Sequence, residues 1–168
     1  MKLIVGVLAL LTSTAALATP LERTHWHVQE ETYEGFPLML RYPISIDYGR
    51  LETSLPILLT VTHKFRERQA SGLPSKSYNS TLAEFDSAVI DVFNNQALGV
   101  TVLVETFGGN RAYYKYISPQ ADVAAARARF SKDFQNEELT WETRPDPKWT
   151  FLQTYKNDFG LNGSKQTK

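Results

Sequence analysis

The sequence predicts an α+β sandwich in which two helices cover one face of an antiparallel sheet. From residue 55 onward, the segments alternate in the order strand, helix, strand, tight turn, strand, helix, strand. Each helical segment carries one apolar stripe, which must be buried against a sheet. With right-handed crossovers, this order is that of the split β-α-β, or ferredoxin-like, sandwich. We expect strands 55–65 and 111–117 at its centre, flanked by strands 100–107 and 139–143.

The strand segments show the expected alternation. In 55–65 one face is apolar, whereas Thr60, Thr62 and Lys64 share the other, which predicts one buried face and one partly hydrated face. The run Gly108-Gly109-Asn110 predicts a tight turn between the next two strands, because Gly and Asn tolerate positive φ.

Both helices have candidate start signals. Thr81 and Glu84 have the spacing of a capping box, and Ser118 and Pro119 predict an N-cap followed by the first helical residue. Gly99 is expected to end the segment of the first helix. The apolar stripes are Leu82, Phe85, Val89, Val92 and Phe93 in the first helix, and Val123, Ala126, Phe130 and Phe134 in the second.

The amino terminus is typical of a secretory signal. Lys2 precedes an apolar run over 3–11, and Ala16-Leu17-Ala18 supplies small residues for cleavage. We therefore expect residues 1–18 to be removed near Ala18 and the protein to be exported, to a periplasm. The chain has no cysteine, which excludes disulfides, thiolate metal sites and a cysteine nucleophile, and this suits a Gram-negative periplasm.

The mature chain divides into three predicted parts. Residues 19–54 form an N-terminal β-hairpin extension that lengthens the sheet or covers its far face, and 55–156 form the ferredoxin-like domain. Residues 149–155 return as a short helix or an extended arm, and 157–168 form a flexible C-terminal tail. No membrane span remains after cleavage of the signal. The 18 basic and 18 acidic residues balance, which argues against a nucleic-acid partner.

Four features in order carry a resemblance to a known family. They are Gly72-Leu73-Pro74, the hairpin Gly108-Gly109-Asn110-Arg111 leading into Ala112-Tyr113-Tyr114-Lys115-Tyr116, a helix, and Asp146-Pro147-Lys148-Trp149 with Tyr155 after it. Over 55–155 the chain resembles a bacterial domain family of unknown function with a Gly-x-Arg-x-x-Tyr-x-Tyr strand and a closing Asp-Pro-x-Trp motif. That family is similar in outline to the ribonuclease E activity regulator B proteins. The resemblance implies a ferredoxin-like fold but no activity, substrate or catalytic residue.

The three histidines are candidate metal ligands. His25 and His27 lie two apart on a predicted strand, so both rings project from one face. With His63, three imidazoles would leave an open position on a zinc ion for an activated water, as in a metal-dependent hydrolase. The alternative interpretation is a hydrated strand face on which the histidines share no ligand.

Arg111, Tyr113 and Trp149 are candidate binding residues. Arg111 could bind an anion beside the double glycine, or it could pair with a cross-strand carboxylate such as Glu105 or Glu142. Tyr113 lies in a strand of basic and aromatic residues that could stack on a ligand, or it packs under the helices. Trp149 could anchor a partner. Alternatively, it closes the edge of the core, with Asp146 capping the segment after it.

No catalytic residue and no cofactor can be nominated. The sequence contains no Gly-x-Ser-x-Gly, phosphate loop, His-Glu-x-x-His or dinucleotide fingerprint. The leading hypothesis is a non-catalytic exported binding or interaction domain that uses Thr60, Thr62 and Lys64, or an exposed sheet edge. Its partner would be a periplasmic protein, or a second copy joined through the strand after Gly99.

Overall fold

One antiparallel sheet of six strands, in the order β1-β2-β4-β5-β3-β6, organises the protein. The computed structural model describes residues 25–44, 46, 48–94 and 98–161, so the predicted signal segment 1–18 lies outside the described residues. The strands are β1 (Trp26–Tyr33), β2 (Phe36–Pro43), β3 (Ile57–Lys64), β4 (Gly99–Phe107), β5 (Asn110–Ile117) and β6 (Glu138–Pro145). The helices are α1 (Tyr48–Leu51), α2 (Lys76–Thr81), α3 (Ala83–Asp91), α4 (Val123–Asp133) and α5 (Thr150–Phe159). The predicted α+β class with an antiparallel sheet is confirmed, and β3 and β5 occupy the expected positions beside each other.

Two tight turns set the register of the sheet. Glu34 and Gly35 join β1 to β2 with φ values of 52° and 80°, and Gly108 and Gly109 join β4 to β5 with φ values of 58° and 89°. Two successive residues with positive φ are the geometry of the two-residue hairpin turn whose twist matches the strands. Both hairpins were predictable from their glycines.

The N-terminal hairpin lengthens the sheet rather than covering it. Met39, Leu40 and Arg41 of β2 pair with Thr106, Glu105 and Val104 of β4. Strand β4 is therefore interior, and the prediction that the strand after Gly99 is a free edge is wrong, because the hairpin pairs with it. The edges of the sheet are β1 and β6.

The two faces of the sheet have separate cores. On one face α3 and α4 pack together, with Phe85 and Phe130 in the same cluster as Val61 and Tyr113 of the sheet. On the other face α5 packs through Leu152, and the buried residues include Leu40, Leu58, Val102, Tyr116 and Trp149. The two predicted helices thus share one face. The residues after Trp149 form α5, which lies on the opposite face.

The helix starts differ from the predictions. Helical structure begins at Lys76, where Ser75 is the N-cap and its Oγ accepts from the Tyr78 N–H at 3.3 Å. The helix breaks at Leu82, and Thr81 donates to the Tyr78 carbonyl at 2.8 Å, so Thr81 is not the cap. The N-cap of α4 is Asp122 rather than Ser118, since the Asp122 Oδ1 accepts from Ala125 N at 2.9 Å.

Packed structure also continues past residue 156. Helix α5 ends at Phe159, and Leu161 is buried in the second core. Residues 162–168 of the predicted tail lie outside the described residues. Over the described ranges, no helix combines the length and hydrophobicity needed to cross a bilayer.

Candidate binding cleft

The extension of the sheet by β1 and β2 creates a cleft on the face covered by α3 and α4, which is called the helix-bearing face below. Helices α3 and α4 pack over the sheet beside the hairpin, and the surface of the hairpin is left facing α2 and the loop before it. The cleft between them has a volume of about 490 Å³. Its apolar lining includes Val28, Met39, Leu73, Pro74 and Leu82, and its polar lining includes Arg41, Lys76, Asn79, Asp86, Thr106 and Arg111.

Asp86, in the first turn of α3, is the centre of the polar lining. It accepts from Arg41 through both carboxylate oxygens, with Nη1 to Oδ2 at 2.8 Å and Nη2 to Oδ1 at 2.7 Å. Its Oδ1 also accepts from Nη1 of Arg111 at 3.0 Å and from the Tyr113 hydroxyl at 2.8 Å. Four charge-assisted hydrogen bonds therefore fix this carboxylate, and the paired bond from Arg41 is the stronger, bidentate kind.

The environment keeps each of these groups in one charge state. Burial favours a higher pKa for Asp86, but the hydrogen bond from Arg41 and the charges of Arg41 and Arg111 outweigh it and lower that pKa below its usual value. Burial, followed by the charge of Asp86, raises the pKa of Tyr113 well above its usual value. At neutral pH the cluster is thus two guanidinium cations, one carboxylate and one neutral phenol.

Arg111 is held by the protein on all three of its nitrogens. Nε donates to Thr106 Oγ1 at 3.1 Å, Nη2 donates to Asn79 Oδ1 at 2.9 Å, and Nη1 donates to Asp86. The guanidinium lies 5.5 Å from the Phe65 ring centroid, and the residue is buried. The predicted pairing with Glu105 or Glu142 is wrong: Arg111 pairs with a helix carboxylate, and Glu105 instead accepts from the Tyr155 hydroxyl.

Arg41 and Lys76 present the charge that the protein itself leaves available. The Arg41 side chain is 28% exposed, and Asp86 uses two of its five N–H groups. Lys76 is exposed at the start of α2 and has no hydrogen bond or ion pair with any residue that the structure describes. Three cations, Arg41, Lys76 and Arg111, face one carboxylate, Asp86, so the lining has a formal excess of two positive charges.

A second polar cluster anchors α2, which forms one wall of the cleft. Tyr78 donates to Glu137 Oε2 at 2.6 Å, His63 Nε2 lies 2.8 Å from the same oxygen, and Arg66 donates to Oε1 at 3.0 Å. Because Tyr78 is bound to Glu137, its neighbour Asn79 is held where it can accept from Arg111. Burial lowers the pKa of His63, although the hydrogen bond to Glu137 opposes this shift.

The three histidines do not meet. His27 is on β1 and His63 is on β3, with β2, β4 and β5 between them. Four strand spacings of about 4.8 Å separate the two strands by roughly 19 Å, far beyond the first coordination shell of one ion. His63 is fully buried against Phe85, whereas His25 and His27 are exposed. Among the described residues, no group of three His, Cys, Asp or Glu side chains is arranged to hold a metal.

The candidate binding residues separate onto the two faces of the sheet. Arg111 and Tyr113 belong to the Asp86 cluster, where Tyr113 is fully buried. Trp149 lies on the opposite face and is 1% exposed, stacked on Tyr116 at 4.0 Å between ring centroids. Its Nε1 donates to the Leu55 carbonyl at 2.9 Å. Trp149 is therefore part of the second core and has no surface to offer to a partner.

The predicted hydrated face of β3 is present on the α5 side. Thr60 and Thr62 are half-buried, and Lys64 is exposed and pairs with Glu138 at 3.4 Å. Their cross-strand neighbours on β6 include Thr140 and Glu142. These side chains form a polar strip on the α5 side of the sheet.

Of the polar residues that line the cleft, only Arg111 was among the sequence-based candidates, although Asp86 also left a signal. Asp86 lies four residues after Leu82 and three before Val89, so it sits within the apolar stripe of its helix. A carboxylate in such a stripe predicts a buried partner of opposite charge. Arg41, Lys76 and Asn79 leave no comparable signal, because their proximity depends on the pairing of β2 with β4.

The fold and the cleft thus define an α+β domain with a six-stranded antiparallel sheet and a cationic cleft. Residues 24–155 match the model of a family of unknown function, DUF695, and the chain belongs to that family. This confirms the expected membership of a family of unknown function. The likeness to ribonuclease E activity regulator B stays a prediction. No curated protein and no solved structure matches the chain.

Proposed function

We propose that the protein is an exported, non-catalytic domain that binds a small molecule in the cleft beside Asp86. The observation that carries this proposal is the preorganised cation at the cleft: Arg41 is fixed by a bidentate bond to Asp86 and is still 28% exposed. Ligand sites are concave and mostly apolar, with a few polar groups fixed in advance. The cleft has this composition, with Val28, Met39 and Leu73 beside Arg41 and Lys76.

The charge states of the cluster support binding rather than acid–base catalysis. A general acid or base works best with a pKa near the operating pH. The pKa of Asp86 is lowered, and the pKa values of Tyr113 and Arg41 are raised, so each pKa lies further from pH 7 than in an exposed side chain. These groups hold charge and geometry, which is what a binding site requires.

The binding site can be tested by filling the cleft. Ala83 lines the cleft and is exposed on α3, while Ala124 is exposed on α4 and does not line the cleft. Wild type, A83W and A124W are purified from source cells without denaturation and analysed by native mass spectrometry. We expect the spectra of wild type and A124W to show an additional mass from a bound, chemically unmodified small molecule, and the spectrum of A83W to lack it. If neither wild type nor A83W carries an additional mass, the proposal is contradicted.

Export is proposed from residues 1–18, whose pattern is that of a cleavable signal. The chain has no cysteine, so its fold needs no disulfide in any compartment. Expression of the full chain in a Gram-negative host, followed by cell fractionation and N-terminal sequencing, tests this part. We expect a periplasmic protein that starts near Thr19. A full-length protein in the cytoplasmic fraction argues against export.

We also propose that β3, α2–α3, β4, β5, α4 and β6 form a ferredoxin-like unit to which the N-terminal hairpin is added. The strand order β4-β5-β3-β6 and the common face of Phe85 and Phe130 support this assignment. A crystal structure in which α3 and α4 lie on opposite faces of the sheet would rule it out.

A further inference from the structure

The charge of the cleft indicates the chemical class of its ligand. We propose that the cleft binds a small organic carboxylate with an apolar body, and that its anionic group lies beside Lys76 and the exposed side of Arg41. This inference rests on the proposed function and specifies the ligand of the same cleft.

The donors that remain available favour one anionic group. Asp86 already accepts four hydrogen bonds, and Arg111 has a protein acceptor on each of its three nitrogens. The more exposed cationic donors are the ammonium of Lys76 and the N–H groups of Arg41 that Asp86 does not use, since Arg111 is only 10% exposed. Since Arg41 is held in place by Asp86, it loses little conformational freedom when it receives a second carboxylate.

The excess charge argues against other ligand classes. A cationic ligand would enter a lining with a formal excess of two positive charges, which repels it. A neutral apolar ligand would desolvate Lys76 and Arg41 without giving them a partner, and this is costly. A polyphosphate carries more negative charge than the excess of two positive charges offsets, so a single small anionic group fits best.

The walls indicate what the carboxylate is attached to. Val28 is 57% exposed, and it lines the cleft with Met39, Leu73 and Pro74. An apolar body placed against these side chains removes apolar surface from water on both partners. The volume of about 490 Å³ falls within the range of small-molecule sites. The occupant is therefore a free aliphatic or aromatic acid.

Octanoate and octanol are the probes, because they share the apolar body and differ in the carboxylate. Binding to the mature protein is measured by nuclear magnetic resonance titration at low ionic strength. We expect octanoate to shift the amide resonances of the cleft and to bind at least about tenfold more tightly than octanol. Octyl phosphate is a third probe, and we expect it to bind no more tightly than octanoate.

Matched variants identify the cation. K76Q removes the charge, K76R keeps it, and K132Q removes the charge of an exposed lysine on α4. Because Lys76 is exposed, we expect K76Q to weaken octanoate binding about threefold, with a smaller effect at high salt. K76R should bind octanoate more tightly than K76Q because it keeps the charge, and K132Q should bind as wild type does.

The outcomes separate the two proposals. Equal affinity for octanoate and octanol, both abolished by A83W, overturns the carboxylate while the cleft remains a binding site. Tighter binding of octyl phosphate, unchanged binding by K76Q, or no octanoate binding at millimolar concentration also overturns it. Failure of the proposed function itself is a different result, in which no molecule is retained from source cells and no probe responds to A83W.

Discussion

Each face of the sheet has a tyrosine hydroxyl bound to an aspartate, but the two aspartates have different roles. Strand β5 presents Tyr113 to the helix-bearing face and Tyr116 to the α5 face, and each hydroxyl donates to an aspartate. Tyr113 donates to Asp86 at 2.8 Å, and Tyr116 donates to Asp146 at 2.6 Å. In both cases hydrogen bonds outweigh burial and lower the pKa of the aspartate.

The difference lies in the other partners of each aspartate. Asp146 accepts from the backbone N–H groups of Thr150 and Phe151 at 2.8 and 3.0 Å, so it caps α5 and its bonds are local. Asp86 accepts instead from the arginine side chains of two strands, and both arginines line the cleft, where Arg41 is the more exposed. A carboxylate satisfied by backbone closes a core, whereas one satisfied by long side chains can hold a cation at a surface.

The largest expected effect on the free energy of unfolding is on the α5 face of the sheet. W149A removes a ring that is 1% exposed and stacked on Tyr116. We expect the free energy of unfolding to fall by about 3–5 kcal/mol, because the change leaves a cavity that the helix cannot fill. Urea denaturation measures this loss, and octanoate titration of the folded variant should match wild type. A loss below about 1 kcal/mol would show that the second core is loosely packed.

The next prediction concerns Lys115, whose buried charge on the helix-bearing face lowers the stability of the fold. Lys115 is fully buried and donates to the carbonyls of Val89 and Ile90 at 3.1 and 2.8 Å, and burial lowers its pKa to about 7. Between that value and the pKa of about 10.4 in the unfolded chain, the unfolded state binds more protons. Stability should therefore rise with pH above about 7, by roughly 1.4 kcal/mol per pH unit.

K115M should remove most of this slope, since methionine binds no proton in either state; burial also lowers the pKa of Lys156, which accounts for a remainder. The measurement is urea denaturation at pH 7, 8 and 9, below the range in which tyrosines ionise. K132M, at an exposed position on α4, is the control and should keep the slope of wild type. Equal slopes in wild type and K115M would mean that Lys115 keeps its proton throughout this range.

A smaller effect compares the two tyrosines directly. Y113F and Y116F each remove one hydroxyl that donates to a carboxylate, and we expect each to lose about 1.5–3 kcal/mol of unfolding free energy. Only Y113F should shift the side-chain N–H resonance of Arg41, because only Asp86 is bound to that guanidinium. A shift of this resonance in Y116F would indicate that the two faces are coupled through β5.

The sequence predicted the local features of this fold better than the distant ones. Glycines at 35 and 108–109 specify the turns of both hairpins, and the stripe residues Phe85 and Phe130 lie together as expected. The sequence does not specify the helix starts, because Ser75 and Asp122 have equally plausible capping residues near them. The Asp86 cluster could not be predicted, since it joins side chains from β2, α2, α3, β4 and β5, whose order in space follows from the whole sheet.

The smallest expected effect on stability is also the one that separates binding from folding. Arg41 is 28% exposed, so R41Q removes a partly hydrated ion pair, and we expect a loss of about 1 kcal/mol or less. Asp86 keeps Arg111 and Tyr113 as partners in this variant. Octanoate binding should weaken more than in K76Q, because the planar guanidinium that Asp86 holds in place is lost.

The comparison variant is R111Q, which removes a buried hydrogen-bond donor from Asp86, Asn79 and Thr106. It should reduce stability more than R41Q does. If R41Q and R111Q lower stability equally, Arg41 serves the fold in the way that the Asp146 partners do, and the contrast between the two faces disappears.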